Sequence, residues 1–174
     1  MSLNQTDLVI PAAMQPMYDR FHFAPAVRAG ELLLCSGQIG IGPDGRAIAD
    51  PAAQITAAFE NVKAVLAEAG LGFGDVIELT TYHAGGMQHL ATFMQVKDRY
   101  LSQPYPAWTA IGVVELAVSG GLVEIRATAR RASAPARARP AKKRAAKKPS
   151  ARKRVAKKRP AKKRGLRRKT GRRR

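Results

Sequence analysis

The residues of this chain whose types and spacing could do chemistry fall into a sparse group and a dense one. In the sparse group, Glu124 and Arg126 lie two positions apart in a segment where Val123, Ile125, Ala127 and Ala129 alternate with Leu122, Glu124, Arg126 and Thr128. An extended strand would set both charges on one face, about 7 Å apart, and the apolar residues on the other. A carboxylate so placed is either a proton-handling group or half of an ordinary ion pair, and type and spacing leave both open. His22, His83 and His89 stand singly, without an HxH or HExxH pattern, so neither a metal nor another cofactor is expected. Cys35 is the one cysteine and sits beside Leu34 in an apolar stretch. A buried, inert thiol is the expectation, and a disulfide within the chain is excluded. The run Gly37-Gln38-Ile39-Gly40-Ile41-Gly42 lacks the lysine of a phosphate-binding loop and the spacing of a dinucleotide loop.

The dense group is a run of cations. From residue 141, five pentads follow one another (141–145, 146–150, 151–155, 156–160 and 161–165), each opening with alanine and two basic residues. Their cations are Lys142, Lys143, Arg144, Lys147, Lys148, Arg152, Lys153, Arg154, Lys157, Lys158, Arg159, Lys162, Lys163 and Arg164. A period of five advances about 500° around a helix at about 100° per residue, so no apolar stripe forms. Pro140, Pro149 and Pro160 interrupt any long helix. The pattern argues against an amphipathic helix lying on a membrane. It supports an extended polycation that follows the phosphates of DNA or RNA, where each neutralised phosphate releases a counterion. No aromatic residue lies in 132–174 to stack on bases, so contacts would carry no sequence information. The segment resembles the lysine- and alanine-rich tails of histone-like proteins; a charge run without a selected partner is the plainer alternative.

The same charges divide the chain. Its 174 residues hold 31 Lys and Arg against 12 Asp and Glu, a formal net charge of +19. Residues 1–131 contain 9 of the basic and all 12 of the acidic side chains, net −3, which leaves 22 basic side chains and no acid in 132–174. With only Val155 and Leu166 as large apolar side chains, that tail cannot offset the entropy of ordering and is expected to be disordered when free. Residues 1–20 read as a lead-in and 21–131 as one domain, long enough for its own core. No apolar run nears the roughly 20 residues of a membrane span, and no leader opens the chain. The expected location is the cytoplasm, with nucleoid association through the tail and no membrane partner.

Elements must position these groups. Asp50-Pro51 opens a helix over about 51–69, because Ile55, Ala58, Phe59, Val62, Val65 and Leu66 recur at spacings of three and four. Gly70 closes it. A second helix is expected over about 87–101, with Leu90, Phe93, Met94, Lys97 and Leu101 in phase and Pro104 and Pro106 beyond it. Short apolar segments at 26–27, 31–36, 76–82, 109–115 and 122–129 read as strands, with a turn at 43–46. The order β-β-α-β-α-β-β implies an α+β or α/β layer with both helices on one sheet face. The opposite face, carrying Glu124 and Arg126, must meet water or another subunit.

The segment from Ala26 to Leu32 running into Ser36-Gly37-Gln38-Ile39 resembles the signature of the Rid (YjgF-type) family of imine and enamine deaminases. The stretch Phe59-Glu60-Asn61-Val62, then Ala69-Gly70-Leu71, Asp75-Val76, Pro106-Ala107 and Val123-Glu124-Ile125, continues it in matching order over about residues 20–131. The resemblance implies an α+β fold of chorismate-mutase-like type, with a six-stranded sheet, two helices on one face and a homotrimeric assembly. It implies a small-molecule ligand in clefts between subunits, where a last-strand carboxylate, here Glu124, holds the water that attacks a C=N carbon. Ser36 and Gly37 match the family's Ser-Gly pair beside that ligand; for Gly37 a turn or bulge is an equal reading.

Departures from the family pattern are equally informative. Trp108 stands where deaminating members carry the arginine that clamps the substrate carboxylate, and Ala110 replaces a cysteine. Met94 replaces an asparagine of the second helix, and Phe23 matches a pocket tyrosine. Each change removes a polar group or a charge, so the pocket is expected to favour a neutral or more apolar ligand, with Arg126 a lower-ranked substitute cation. Two functions follow as expectations. One is a hydrolase acting on an imine or enamine metabolite, with a tail on nucleic acid; the other is a non-catalytic trimeric ligand-binding or scaffold protein that delivers its tails to DNA or RNA.

Overall fold

The computed structural model describes residues 3–131; the pentads and every candidate nucleic-acid contact named above lie outside the described residues. In chain order its elements are β1 (Leu8–Val9), α1 (Gln15–Phe21), β2 (Ala26–Ala29), β3 (Leu32–Cys35), β4 (Gln38–Ile39), α2 (Pro51–Glu68), β5 (Val76–Ala84), α3 (Leu90–Lys97), β6 (Ala107–Val113) and β7 (Val123–Arg130). The strands form one sheet in the order β1-β2-β3-β7-β5-β6, with β4 also paired to β7. Only β5 and β6 run parallel, joined through α3 as a parallel pair requires. The result is an α+β fold with a mixed sheet.

The sequence pattern and the structure agree where the periodicity is long. Asp50 caps α2, its Oδ1 accepting from the Ala53 N–H at 2.8 Å, and Gly70 leaves the helix at a φ of +70°. Ile55, Ala58, Phe59, Val62, Val65 and Leu66 all turn into the core. On β7, Val123, Ile125, Ala127 and Ala129 are buried where α2 packs on the strand, while Glu124 is half-buried and Arg126 exposed. The face read as mixed is therefore the face away from α2.

Where the pattern is short, the structure adds or corrects. The sheet has seven strands, against the six that the resemblance implied and the five segments read from the pattern; β1 and β4, at two residues each, are too short to show an alternation. A third helix, α1, precedes Ala26, so the segment read as a lead-in contributes both a helix and an edge strand whose Val9 joins the core. The second expected helix is shorter than 87–101. Gly85, Gly86 and Met87 adopt φ values of +67°, +71° and +67°, which no helix interior accepts, so α3 begins only at Leu90. Its last turn tightens, with the Tyr100 N–H donating to the Lys97 carbonyl at 3.0 Å.

One buried polar side chain holds two loops to the core. Gln54 on α2, 1% exposed, donates from Nε2 to the Ile48 carbonyl at 2.7 Å and the Gly120 carbonyl at 3.0 Å, and accepts the Leu122 N–H at 2.6 Å. The backbone of Gly40 lies so close that a Cβ there would collide with the Gln54 carbonyl, 2.7 Å from its carbon atom. Gln54→Leu keeps the volume but strands three backbone groups. Because a group left unpaired away from water costs roughly 1–3 kcal/mol, and Ile48 and Leu122 are part-buried while exposed Gly120 can turn to water, the substitution is expected to destabilise the domain by about 2–3 kcal/mol in denaturant unfolding.

Candidate functional site

The candidate site begins at an irregularity in the sheet. Leu34 of β3 faces Thr128, whereas Gln38 of β4 faces Ile125. Ser36-Gly37 thus lies in a stretch one residue longer than β7 supplies opposite it, a bulge of the kind that re-aims side chains. The next β7 residue, Glu124, faces Ile39 on one side and Tyr82 of β5 on the other. Its carboxylate turns into the bulge: a Cβ on Gly37 would fall on Oε1 and lie 2.5 Å from Cδ. Gly37 does not adopt a positive φ, so it is glycine for space, and Glu124 takes that space.

The surroundings of the notch are hydrogen-bonded to stay in place. Ser36 donates from Oγ to the Ala24 carbonyl at 2.7 Å and from its N–H to the Pro25 carbonyl at 2.8 Å, which ties the half-exposed Phe23 segment to the bulge. Buried Gln38 reaches back to the Ser36 carbonyl at 3.2 Å, and Asn61 of α2 donates to the Ile39 carbonyl at 3.0 Å. Among the described residues the Glu124 carboxylate has no ion pair within 4 Å, and Arg126 supplies none. The ordinary ion-pair reading therefore finds no partner for Glu124 among the described residues. Burial instead pushes the Glu124 carboxyl above its usual range.

The other expected site residues gather elsewhere. Trp108 is level with Leu79 in the parallel β5–β6 pair, and Leu79 faces Ala127 of β7; all three lie on the helix-covered face, opposite to Glu124. The Trp108 ring stacks on Phe93 of α3 with centroids 5.7 Å apart, and its Nε1–H donates to Thr81 Oγ1 at 3.0 Å. Ala110 is level with Thr81 on the same face, and Met94, next to Phe93, packs against the core. The chain thus carries two separate groups, Ser36-Gly37-Glu124 with Phe23 nearby in sequence, and Trp108-Ala110 on the face that α3, with Met94, covers.

The remaining candidates are structural. His83, 1% exposed, sets Nε2 2.8 Å from Thr81 Oγ1 and its ring edge-on to Phe93 at 4.9 Å. Burial pushes its pKa down, and its Nδ1 is buried without a partner among the described residues. Cys35 is buried and its thiol is pushed up to about 11, far from a reactive thiolate. Among the described residues no group of three His, Cys, Asp or Glu could hold a metal ion, and no helix is long and apolar enough to cross a membrane. Sequence reasoning missed Asn61, Thr81 and Lys97 as site supports. Asn61 carried a usable signal, since it falls one heptad after Gln54 and both interrupt the apolar face of α2 with an amide.

A mixed sheet with two helices packed on one face, and a half-buried carboxylate in a glycine notch on the other, defines a YjgF-type α+β protein. The family model described as endoribonuclease L-PSP matches residues 15–131. The RutC family protein YjgH of Escherichia coli K12 is 40% identical over 123 residues, 70% of this chain and 92% of that protein. A solved structure of protein YJGH superimposes with a TM-score of 0.66 at 39% identity, over 71% of this chain and 94% of that one. The 2-iminobutanoate/2-iminopropanoate deaminase of Escherichia coli K12 is 32% identical over 108 residues, 62% of this chain and 79% of that protein. The chain belongs to the endoribonuclease L-PSP family, which includes the YjgF and RutC proteins.

A carboxyl held above its usual range has a thermodynamic consequence. The folded chain holds a proton on Glu124 more readily than the unfolded chain does, so ionisation opposes folding, and the opposition is complete above the raised value. Glu124→Gln is expected to raise the melting temperature at pH 7 relative to wild type. The gain should shrink and vanish as the pH falls to the ordinary glutamate range near 4.5. Thermal unfolding of both proteins between pH 4 and 8 tests this.

Proposed function

We propose that the chain hydrolyses the C=N bond of an imine, or of the imine tautomer of an enamine, with Glu124 as the proton-handling group. The observation that supports this best is the half-buried Glu124 carboxylate in the Gly37 notch, without an ion pair among the described residues, since a base should have a pKa raised toward the working pH. Ionised Glu124 takes a proton from water as the oxygen bonds to the imine carbon, and the π electrons of the C=N bond pass to nitrogen. Glu124 delivers that proton to the nitrogen, giving a carbinolamine, then takes the remaining hydroxyl proton and passes it to the amine nitrogen as the C–N bond breaks, so ammonia leaves and the carbonyl forms. One water and one imine thus give one carbonyl compound and one ammonia. The Escherichia coli relative named as an iminobutanoate deaminase supports the same class of substrate.

Completion of the pocket requires a second copy of the chain. Ser36, Gly37, Phe23 and Glu124 of one protomer face a ligand whose other side meets Met94, Trp108 and Ala110 of a neighbour, in a homotrimer. The edge position of β6, with Trp108 and Ile111 each 37% exposed, supports such an assembly. Residues 132–174 add a second partner, nucleic acid held through phosphate by the pentad cations, independent of base sequence. Trp108 favours a second reading, in which the site binds a ligand without turning it over and serves as a platform for the tails.

Two measurements test the proposal. Ammonia release from freshly generated imines should fall by about 100-fold or more in Glu124→Gln, the usual contribution of a general acid–base group; equal background release by both proteins would instead establish the non-catalytic platform. In gel-shift titrations, full-length protein should bind DNA or RNA fragments of unrelated sequence, weakening steeply with salt, while residues 1–131 alone should not. Equal binding by the two chains would refute the role of the tail.

A further inference from the structure

We propose that Lys97 is the cation that selects an anionic ligand at the Trp108 side of the site, pairing with the carboxylate of a 2-imino acid or the 2-oxo acid formed from it; this rests on the reaction proposed above. Lys97 closes α3 and is 7% exposed, a burial that a free ammonium resists unless anions meet it. Its one polar partner among the described residues is Asp98 Oδ1 at 2.8 Å. An ammonium has three donors, and Asp98 occupies one. Two rings also flank Nζ, Trp108 with its centroid at 5.4 Å and Tyr105 at 5.8 Å. They attract the charge through their faces but accept no strong hydrogen bond.

The pairing with Asp98 has the character of an exchangeable partner. Adjacent residues do not share a helix face, and the Asp98 side chain is 61% exposed against 9% for that of Lys97, so its carboxylate reaches the ammonium from solvent. A ligand carboxylate is an acceptor of the same kind and can take its place. Tyr105 is 63% exposed, so the aromatic side of the ammonium adjoins the surface. Trp108 and Lys97 together form an apolar plate with a buried cation beside it, which suits a small planar acid and disfavours its neutral ester. This revises the expectation of a neutral ligand drawn from the composition of the pocket.

Trp108 is the one tryptophan of the chain, so its emission reports on this place directly. The full-length protein is titrated with pyruvate and with methyl pyruvate. Pyruvate should shift the emission saturably, and Lys97→Met should weaken pyruvate binding about tenfold or more, the scale of one charge-assisted hydrogen bond. Lys97→Arg should retain pyruvate binding, and the weaker methyl pyruvate response should be the same in wild type and Lys97→Met, which separates lost charge from lost folding. No saturable pyruvate response in wild type, or equal pyruvate affinity in wild type and Lys97→Met, would overturn the assignment. So would loss of binding in Arg126→Ala with Lys97→Met unaffected. Failure of the hydrolysis reading appears elsewhere, as unchanged ammonia release in Glu124→Gln, and leaves the titration intact.

Discussion

The Glu124 carboxylate occupies the space that a side chain on residue 37 would need, and the candidate site depends on that contact. It requires β4 to lie beside β7 in a register one residue out of step with β3, which the bulge at Ser36-Gly37 provides. It requires the bulge to be held, and the Ser36 hydroxyl on Ala24 and the Asn61 amide on Ile39 hold it from two directions. The Asn61 bond in turn needs α2 to cross the sheet at a fixed depth, which the burial of Ile55, Phe59, Val62 and Leu66 sets. The core and the notch are thus successive consequences of one packing arrangement.

The contact works against stability. A carboxylate packed on backbone, with no cation paired to it among the described residues, loses hydration and gains little in return, so the fold tolerates Glu124 rather than profiting from it. Such local conflicts between folding and composition are expected at functional sites. The helix-covered face makes a different compromise, because the buried Thr81 and His83 and the partly exposed Trp108 form a polar chain beside Phe93. That chain fixes the Trp108 plane, and Lys97 lies against it.

Much of this was legible in the residues themselves. The long periodicities of α2 and β7 each persist over enough positions for one face to be read unambiguously, so the helix, its caps and the mixed sheet face followed from spacing alone. The pairs Leu8–Val9 and Gln38–Ile39 are too short for any pattern, and positive φ at Met87 is a conformation that residue type does not announce. The departure at Trp108 was visible as a lost charge, but Lys97 looked like one more position in a helical repeat. Only its packing against two rings distinguished it.

The sequence by itself determined the division of charge between a net −3 domain and a +22 tail, the α+β character and the direction in which the apolar faces point. These are properties of composition and of spacing along the chain, and each is decided within a few residues. Tertiary structure alone decided that Glu124 meets Gly37 rather than Arg126, that Trp108 lies on the opposite sheet face from Glu124, and that Lys97 is the cation beside the indole. Those outcomes depend on strand register and on which helix crosses which strand. Register and crossing are set by long-range packing, where a shift of one residue exchanges every side chain between the two faces of the sheet.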